Sequence, residues 1–253
     1  MLNPTQIAFF REHGYLVLPG LADQAFCRQL IADAQAALAA HSGEIEYEAD
    51  TRYPGAPASR DAEGGMTARR LLQAYARSPQ LAQWATGPRL AAPLISLLGE
   101  GAALSQAHHN CMMTKQPQYS TATGWHRDSR YWQFARADLV SAWLALGNET
   151  VENGCLWVIP GTHKLTLHEG QLDDVQFLKK DHPDNQELLK QAVAVPLQQG
   201  DVLLFHSQLF HAAGNNQTQQ TKFSLVFTYH AADNPPVPGS RSARLPDIPL
   251  TLN

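Results

Sequence analysis

Two residues near the middle of the chain have the types and the spacing of metal ligands. His126 and Asp128 stand two positions apart in the segment GWHRDSRYW. On a β-strand, residues i and i+2 point to the same face, so this spacing predicts that the imidazole and the carboxylate project into one space. Two imidazoles and one carboxylate form the facial triad of non-haem iron(II) oxygenases, which leaves coordination positions open for chemistry.

A third ligand has to come from a distant part of the chain, and two histidines are candidates. His211 follows an apolar run in GDVLLFHSQLFHAAGNNQ, within a turn-rich segment, and His206 lies in the same segment. Another interpretation stays open on these residues alone. His126 can be a hydrogen-bonded core histidine and Asp128 a turn or capping residue, because an HxD pattern occurs by chance in many chains.

Longer motifs, in the same order, resemble the phytanoyl-CoA dioxygenase family of iron(II)- and 2-oxoglutarate-dependent oxygenases. That family has an HxD motif, a long interval and then HxxGxNxTxxxR, and residues 211–222 read HAAGNNQTQQTK. Residues 143–164, WLALGNETVENGCLWVIPGTHK, are similar to the family's internal block, and QIAFFREHGYLVLPGLAD resembles its N-terminus. The resemblance extends from about residue 5 to residue 230 and favours His211 over His206 as the third ligand.

This resemblance implies an α+β fold with a double-stranded β-helix (jelly-roll, cupin-like) core, iron at its open mouth and N-terminal helices packed on the outside. It implies Fe(II), 2-oxoglutarate and O2 as reactants, succinate and CO2 as co-products, and hydroxylation of a small organic substrate. By match to the family motifs, the iron ligands would be His126, Asp128 and His211.

The predicted cosubstrate-binding residues depart from the family pattern at one position. Lys222 stands where the family has the arginine that binds the distal carboxylate of 2-oxoglutarate, and lysine offers a point charge without the bidentate fork. Ser224, two residues further along a predicted strand, would face the same side and donate a second hydrogen bond. The resemblance also places Trp143 beside the cosubstrate and Arg70 on a helix before the core. Instead of binding the cosubstrate, Lys222 can be a solvated lysine at a strand edge and Trp143 can be a core residue.

Several residues around the HxD motif are candidates for the substrate pocket. Tyr131, Trp132 and Phe134 would form an apolar wall, although aromatic residues in such a run are more often core. Arg130 is near the ligand face in parity and would meet an anionic group of the substrate. Arg127 lies between the two ligands, so we expect it to point away from the metal and to serve in packing or a salt bridge.

Helices in the first hundred residues, followed by short strands, would position these side chains. The sequence pattern predicts helices over residues 4–13, 22–40 and 67–100, the last divided near Gly87-Pro88, with a strand over 15–18 and a loop over 41–66. Further strands are predicted over residues 104–114, 139–146, 156–159, 193–197, 202–205 and 224–230. We therefore expect a single domain over residues 1–253, with a mainly helical part at 1–100, the jelly-roll core at 101–233 and an extended tail at 234–253.

Composition argues against several classes of function. The formal net charge is −4 and the basic residues are scattered, which argues against nucleic acid and anionic membranes as partners. No apolar run approaches the ~20 residues of a membrane span. The cysteines are isolated, with no CxxC pair, which argues against a thiolate zinc site and favours a reducing cytoplasm.

Two other functions remain open from the sequence. One is a jelly-roll binding or regulatory protein without turnover, and the other is a cupin-like metalloenzyme that does not use 2-oxoglutarate, since affinity order alone does not select iron. The sequence does not name the substrate or the oligomeric state. The segments at 41–66 and 165–190 lie outside the diagnostic motifs, and we expect them to decide the substrate.

Overall fold

The computed structural model describes residues 1–51 and 53–252. Arg52, in the predicted loop, and Asn253, at the end of the predicted tail, lie outside the described residues. The helices are α1 (Pro4–His13), α2 (Gln24–Ala39), α3 (Ala74–Arg77), α4 (Pro79–Thr86), α5 (Pro88–Leu98) and α6 (Pro183–Leu189). The strands are β1 (Tyr15–Leu18), β2 (Ile45–Tyr47), β3 (Ala68–Leu72), β4 (Ala103–Lys115), β5 (Thr123–His126), β6 (Leu139–Ala145), β7 (Leu156–Val158), β8 (Val193–Val195), β9 (Val202–His206), β10 (His211–Ala213), β11 (Lys222–His230) and β12 (Ile248–Pro249).

The strands form two antiparallel sheets packed face to face. The larger sheet has the order β1-β9-β6-β11-β4-β3-β2, with β12 also paired to β4, and the smaller sheet has the order β5-β10-β7-β8. Strands that are distant in sequence lie side by side in both sheets, as a double-stranded β-helix requires. The predicted α+β jelly-roll fold is confirmed.

The larger sheet is buried on both faces at its centre, as strand β11 shows. Phe223, Leu225 and Phe227 belong to the apolar core that includes the N-terminal helices. Val226, of opposite parity, belongs to a second core that both sheets share. A strand covered on both sides buries residues of either parity, and every residue of β11 is buried.

Capping residues set the helix boundaries near the N-terminus. The Asn3 side chain accepts a hydrogen bond from the Gln6 backbone N–H, Pro4 opens α1, and Gly14 ends it in the left-handed conformation at φ 79°. Helix α4 ends at Thr86 and α5 begins at Pro88, so the predicted break at Gly87-Pro88 is confirmed.

The predicted helix over residues 67–100 is wrong at its start. Residues 68–72 form β3 instead, which pairs with β2 on one side and β4 on the other, with Arg70 opposite Met113. The sequence ARRLL consists of good helix formers, but the long strand β4 offers a backbone ladder that outweighs a weak local preference. Arg70 therefore lies on a strand and not on a helix.

The predicted loop and tail also contain regular structure. The segment at 41–66 includes β2 and a 3-10 helix at Glu48–Asp50, and the tail includes a 3-10 helix at Arg241–Ala243 as well as β12. Within the described ranges, no helix is long and apolar enough to cross a bilayer.

The two-sided burial of β11 predicts that Phe227→Ala lowers the free energy of unfolding by about 3–5 kcal/mol, because it removes a fully buried ring and leaves a cavity. Chemical denaturation followed by circular dichroism would measure the change. Val237→Ala, at a site 43% exposed, is the control and should change stability by less than about 0.5 kcal/mol. Equal effects of the two substitutions would contradict this packing.

Candidate metal centre and the adjoining cavities

The side chains of His126, Asp128 and His211 converge on one point between the sheets. One ligand atom from each lies within 4.8 Å of the others. Oδ1 of Asp128 is 3.7 Å from Nε2 of His126 and 3.5 Å from Nε2 of His211. All three residues are buried. Two imidazole nitrogens and one carboxylate oxygen therefore meet in the arrangement of a facial triad.

Two neighbouring strands bring the histidines together. His126 ends β5 and His211 begins β10, and the two residues are directly paired across these strands. Asp128 does not continue β5 but begins a 3-10 helix over Asp128–Tyr131. The prediction that His126 and Asp128 share a strand is therefore wrong, and the turn after β5 directs the carboxylate to the same point. The rival histidine, His206, lies elsewhere and pairs with Asp138 at 3.1 Å.

Backbone hydrogen bonds fix which nitrogen each histidine presents. Nδ1 of His126 is 2.8 Å from the Gly124 carbonyl oxygen, and Nδ1 of His211 is 3.0 Å from that of Leu209. A carbonyl oxygen only accepts, so both Nδ1 atoms carry the proton and donate. Nε2 is therefore the nitrogen that each ring directs toward Asp128, and it is the nitrogen available to a metal ion.

The electrostatics of the group keep the carboxylate ionised. Burial alone raises the pKa of Asp128, but the neighbouring His109 and His211 outweigh it and hold that pKa well below its ordinary value. Burial and the nearby His211 lower the pKa of His126 well below its ordinary value. For His211, burial is outweighed by the charge and hydrogen bond of Asp128, so its pKa is raised. A divalent cation would replace the proton that His211 favours in the metal-free site.

Two further residues contact the far oxygen of Asp128 and were not found from the sequence. Nδ1 of His109 lies 3.4 Å from Oδ2, and the Ser141 hydroxyl donates to the same atom at 3.4 Å. The pairing of β4 with β11 skips from Asn110 to Ser105, so His109 lies on a bulge of the long strand. Bulges often direct a side chain toward an active site. The adjacent histidines 108 and 109 do not have the spacing of metal ligands, so the sequence did not indicate that His109 lies at the site.

Two cavities meet at His126 and Asp128. The first extends over the inner face of the larger sheet and is lined by Trp143, Lys222, Ser224 and Arg70 as well as by the triad. The lining of the second cavity includes the carboxylate Glu46 and a larger number of aromatic and basic residues, among them His108, Tyr131, Trp132, Arg130 and Arg241. The structure thus brings every predicted cosubstrate-binding residue to one cavity and most of the predicted pocket wall to the other.

The segments at 41–66 and 165–190 both reach this region. Tyr53 of the first packs edge-on against Phe177 of the second, at 5.4 Å between ring centroids. Phe177 also packs against the His126 ring and forms a backbone bridge with that residue. Both segments are therefore placed to shape access to the triad.

The ammonium group of Lys222 already has a partner in the first cavity. Its Nζ lies 3.0 Å from Oε2 of Glu149, whose side chain is fully buried. Ser224 donates to Oε1 of Glu149 at 2.5 Å, and Trp143 donates to the same oxygen through Nε1 at 2.9 Å. Lys222 is itself buried and is not a solvated lysine at a strand edge. Sequence reasoning missed Glu149, because its partners lie on strands that fold against it.

The remaining predicted residues have defined contacts. Arg70 pairs with Glu46 at 2.9 Å. Trp132 stacks on His108 at 4.8 Å between ring centroids and meets His109 edge-on. Tyr131 is 53% exposed, and Phe134 packs against His108 and His230. Arg127 donates to the carbonyls of Thr162 and Leu165. The apolar wall therefore centres on Trp132, and Arg127 has the predicted packing role.

Comparisons with known proteins agree with this geometry. The family model for phytanoyl-CoA dioxygenase (PhyH) matches residues 10–224. Human peroxisomal phytanoyl-CoA dioxygenase is 32% identical over 138 residues, which cover 50% of this chain and 40% of that relative. Ectoine dioxygenase of Sphingopyxis alaskensis is 28% identical over 255 residues, which cover 92% of this chain and 77% of that relative. The chain spans about half the length of several curated relatives, from 40% to 56%.

A solved structure extends the likeness over nearly the whole chain. The non-heme alpha ketoglutarate dependent epimerase SnoN from nogalamycin biosynthesis superposes with a TM-score of 0.72 and 25% identity, covering 98% of this chain and 94% of that one. Motif order, fold and site geometry all agree with the match to the family model. The chain belongs to the phytanoyl-CoA dioxygenase family.

Proposed function

We propose that this protein is an iron(II)- and 2-oxoglutarate-dependent dioxygenase that hydroxylates a small organic substrate, with release of succinate and CO2. The observation that carries the proposal is the buried convergence of His126, Asp128 and His211, with both Nε2 atoms aimed at one carboxylate. Membership of the family and the likeness to ectoine dioxygenase support the same activity.

The residues at the triad fit an iron(II) ion. Two neutral imidazoles and an ionised carboxylate are borderline and hard donors, a set that suits iron and leaves one side of the ion open. When bound, the iron supplies activation of O2 and oxidative decarboxylation of 2-oxoglutarate. The protein's own contribution is orientation, since the carbonyls of Gly124 and Leu209 fix the imidazoles and the Ser141 hydroxyl donates to the far oxygen of Asp128.

We place 2-oxoglutarate in the first cavity and the substrate in the second. The first cavity is narrow and contains Lys222, Ser224 and Trp143, which suit a dicarboxylate with an apolar middle. The second cavity has Trp132 as an apolar wall and contains Arg130 and Arg241. Within the described residues, neither arginine has a carboxylate within 4.0 Å, which favours an anionic substrate.

The wider organisation of the chain enters the proposal as well. We propose that residues 1–253 work as one domain without nucleic acid as a partner. Cys27, Cys111 and Cys155 are unpaired and buried, which supports a reducing compartment such as the cytoplasm. The human relative's name places that protein in peroxisomes, so fractionation of cells that express this chain would decide between the two locations.

We predict that Asp128→Ala abolishes hydroxylation, because the ion would keep two neutral histidines and lose its anionic ligand. Succinate formation from 2-oxoglutarate and incorporation of isotopically labelled O2 into an anionic test substrate would measure it. Asp138→Ala is the matched control, since that carboxylate pairs with His206 away from the triad. Retained hydroxylation in a folded Asp128→Ala variant would rule out the proposed triad.

Substitutions of His211 and His206 form a second pair of test variant and matched control. His211→Ala should weaken Fe(II) binding by at least about 100-fold, more than loss of an outer-shell partner costs, whereas His206→Ala should leave it unchanged. Anaerobic metal titration would measure both affinities. Loss of binding in His206→Ala with retention in His211→Ala would mean that the third ligand is wrongly assigned.

A further inference from the structure

Three basic residues of the first cavity lie close to one another. They are Arg69, Lys115 and Lys222. Arg69 pairs with the buried Glu48 at 2.9 Å, and Lys222 pairs with the buried Glu149 at 3.0 Å. Among the residues that the structure describes, these three cations therefore face two carboxylates, and one cation has no carboxylate partner.

Lys222 is not the cation that is left over. Its ammonium contacts Glu149 and lies 3.4 Å from the Ser224 hydroxyl, and that hydroxyl is itself engaged with Glu149. A second carboxylate arriving at Lys222 would meet the full negative charge of Glu149 at close range. Like charges at such distances in a buried site oppose binding.

Lys115 is the unpaired cation. It is half-buried, and its Nζ donates to the Thr121 carbonyl at 3.2 Å. Within the described residues, no carboxylate lies within 4.0 Å of it. Lys115 is the direct cross-strand partner of Lys222, so both side chains project from the same face of the sheet into the cavity.

The position of Lys115 is fixed by the loops around it. The Asn216 side chain donates to the Lys115 carbonyl at 2.8 Å and so ties the C-terminal motif to the end of β4. Gly154 packs over the lysine stem so closely that a Cβ there would come within 2.7 Å of Lys115 Cδ. A side chain whose stem is held and whose ammonium group has no carboxylate partner among the described residues is suited to bind an anion.

We propose that Lys115, and not Lys222, supplies the positive charge that binds the distal carboxylate of 2-oxoglutarate. Lys222 and Glu149 form an ion pair of zero net charge beside it. The proposal rests on the proposed function and changes one of its assignments. It also accounts for the lysine at position 222, because a residue that forms an ion pair with Glu149 does not require the bidentate guanidinium group of arginine.

The charge state of Lys115 gives the proposal a second signature. Burial, followed by the positive charges of Arg69 and Lys222, lowers the pKa of Lys115 to about 7, while Glu48 and Glu149 act in the opposite direction. A bound carboxylate requires the ammonium form. Affinity for 2-oxoglutarate should therefore fall as the pH rises above about 7, because each binding event then takes up a proton.

Anaerobic calorimetry on the Fe(II)-loaded protein tests the assignment, with 2-oxoglutarate and 2-oxopentanoate as probes. The second probe has the same chain without the distal carboxylate. Lys115→Met should weaken 2-oxoglutarate binding by about 10- to 100-fold, the size of a charged hydrogen bond, and should remove the fall in affinity at high pH. Its affinity for 2-oxopentanoate should equal that of the wild type.

Glu149→Gln is the reciprocal variant. It removes the competing charge and frees Lys222, so 2-oxoglutarate should bind more tightly, and Lys115→Met should cost less in this background than in the wild type. Thermal unfolding of each variant checks the fold; Lys115→Met removes a charge without a carboxylate partner and should not lower stability.

The outcomes separate the two proposals. If wild-type protein binds 2-oxoglutarate and Lys115→Met binds it equally well, the assignment of Lys115 is overturned while the proposed function stands. Weaker binding of both probes by Lys115→Met would also overturn it, because the effect would then not concern the distal carboxylate. If wild-type Fe(II) protein binds neither probe, the proposed function itself fails.

Discussion

Asp128 and Glu149 are buried carboxylates, and the charge of a buried carboxylate has to be compensated by the groups beside it. Asp128 is compensated by histidines that can also serve a metal ion. Glu149 is compensated by a lysine, a serine and a tryptophan that form a closed set of contacts. The site around Asp128 is thus suited to bind a cation, whereas the charges around Glu149 are mostly paired within the protein.

The jelly roll makes this arrangement possible through strand pairing. Antiparallel pairing of β5 with β10 places His126 opposite His211, and the turn after β5 brings Asp128 to both. The bulge in β4 adds His109, and the same strand ends at Lys115 beside Lys222. Helices on the outer face of the larger sheet bury its apolar side chains, so its inner face can carry polar residues at little cost to the core.

Sequence reasoning found what local motifs and their spacing encode. His126, Asp128 and His211 follow from the motifs, and β1, α1 and the break before Pro88 follow from local capping and turn chemistry. Strand β3 was missed because its helix-forming residues are held by β4, a partner some 40 residues away.

The partners inside the cavity were missed for a related reason. Glu149 and Lys222 are 73 residues apart, and nothing near either residue in the sequence indicates the pairing. His109 and Lys115 become site residues only through the register of β4. A sequence motif identifies the groups that face the metal, but charge balance around them depends on which strands pair.

We infer that the triad binds iron(II) and that 2-oxoglutarate binds in the adjoining cavity as a ligand of that iron. Visible absorption of the anaerobic protein tests this directly, since an iron(II) ion chelated by a 2-oxo acid has a weak charge-transfer band. We predict that this band appears only when both Fe(II) and 2-oxoglutarate are present and that it is absent in the His211→Ala variant. A folded wild-type protein that binds Fe(II) but gives no band with 2-oxoglutarate would contradict it.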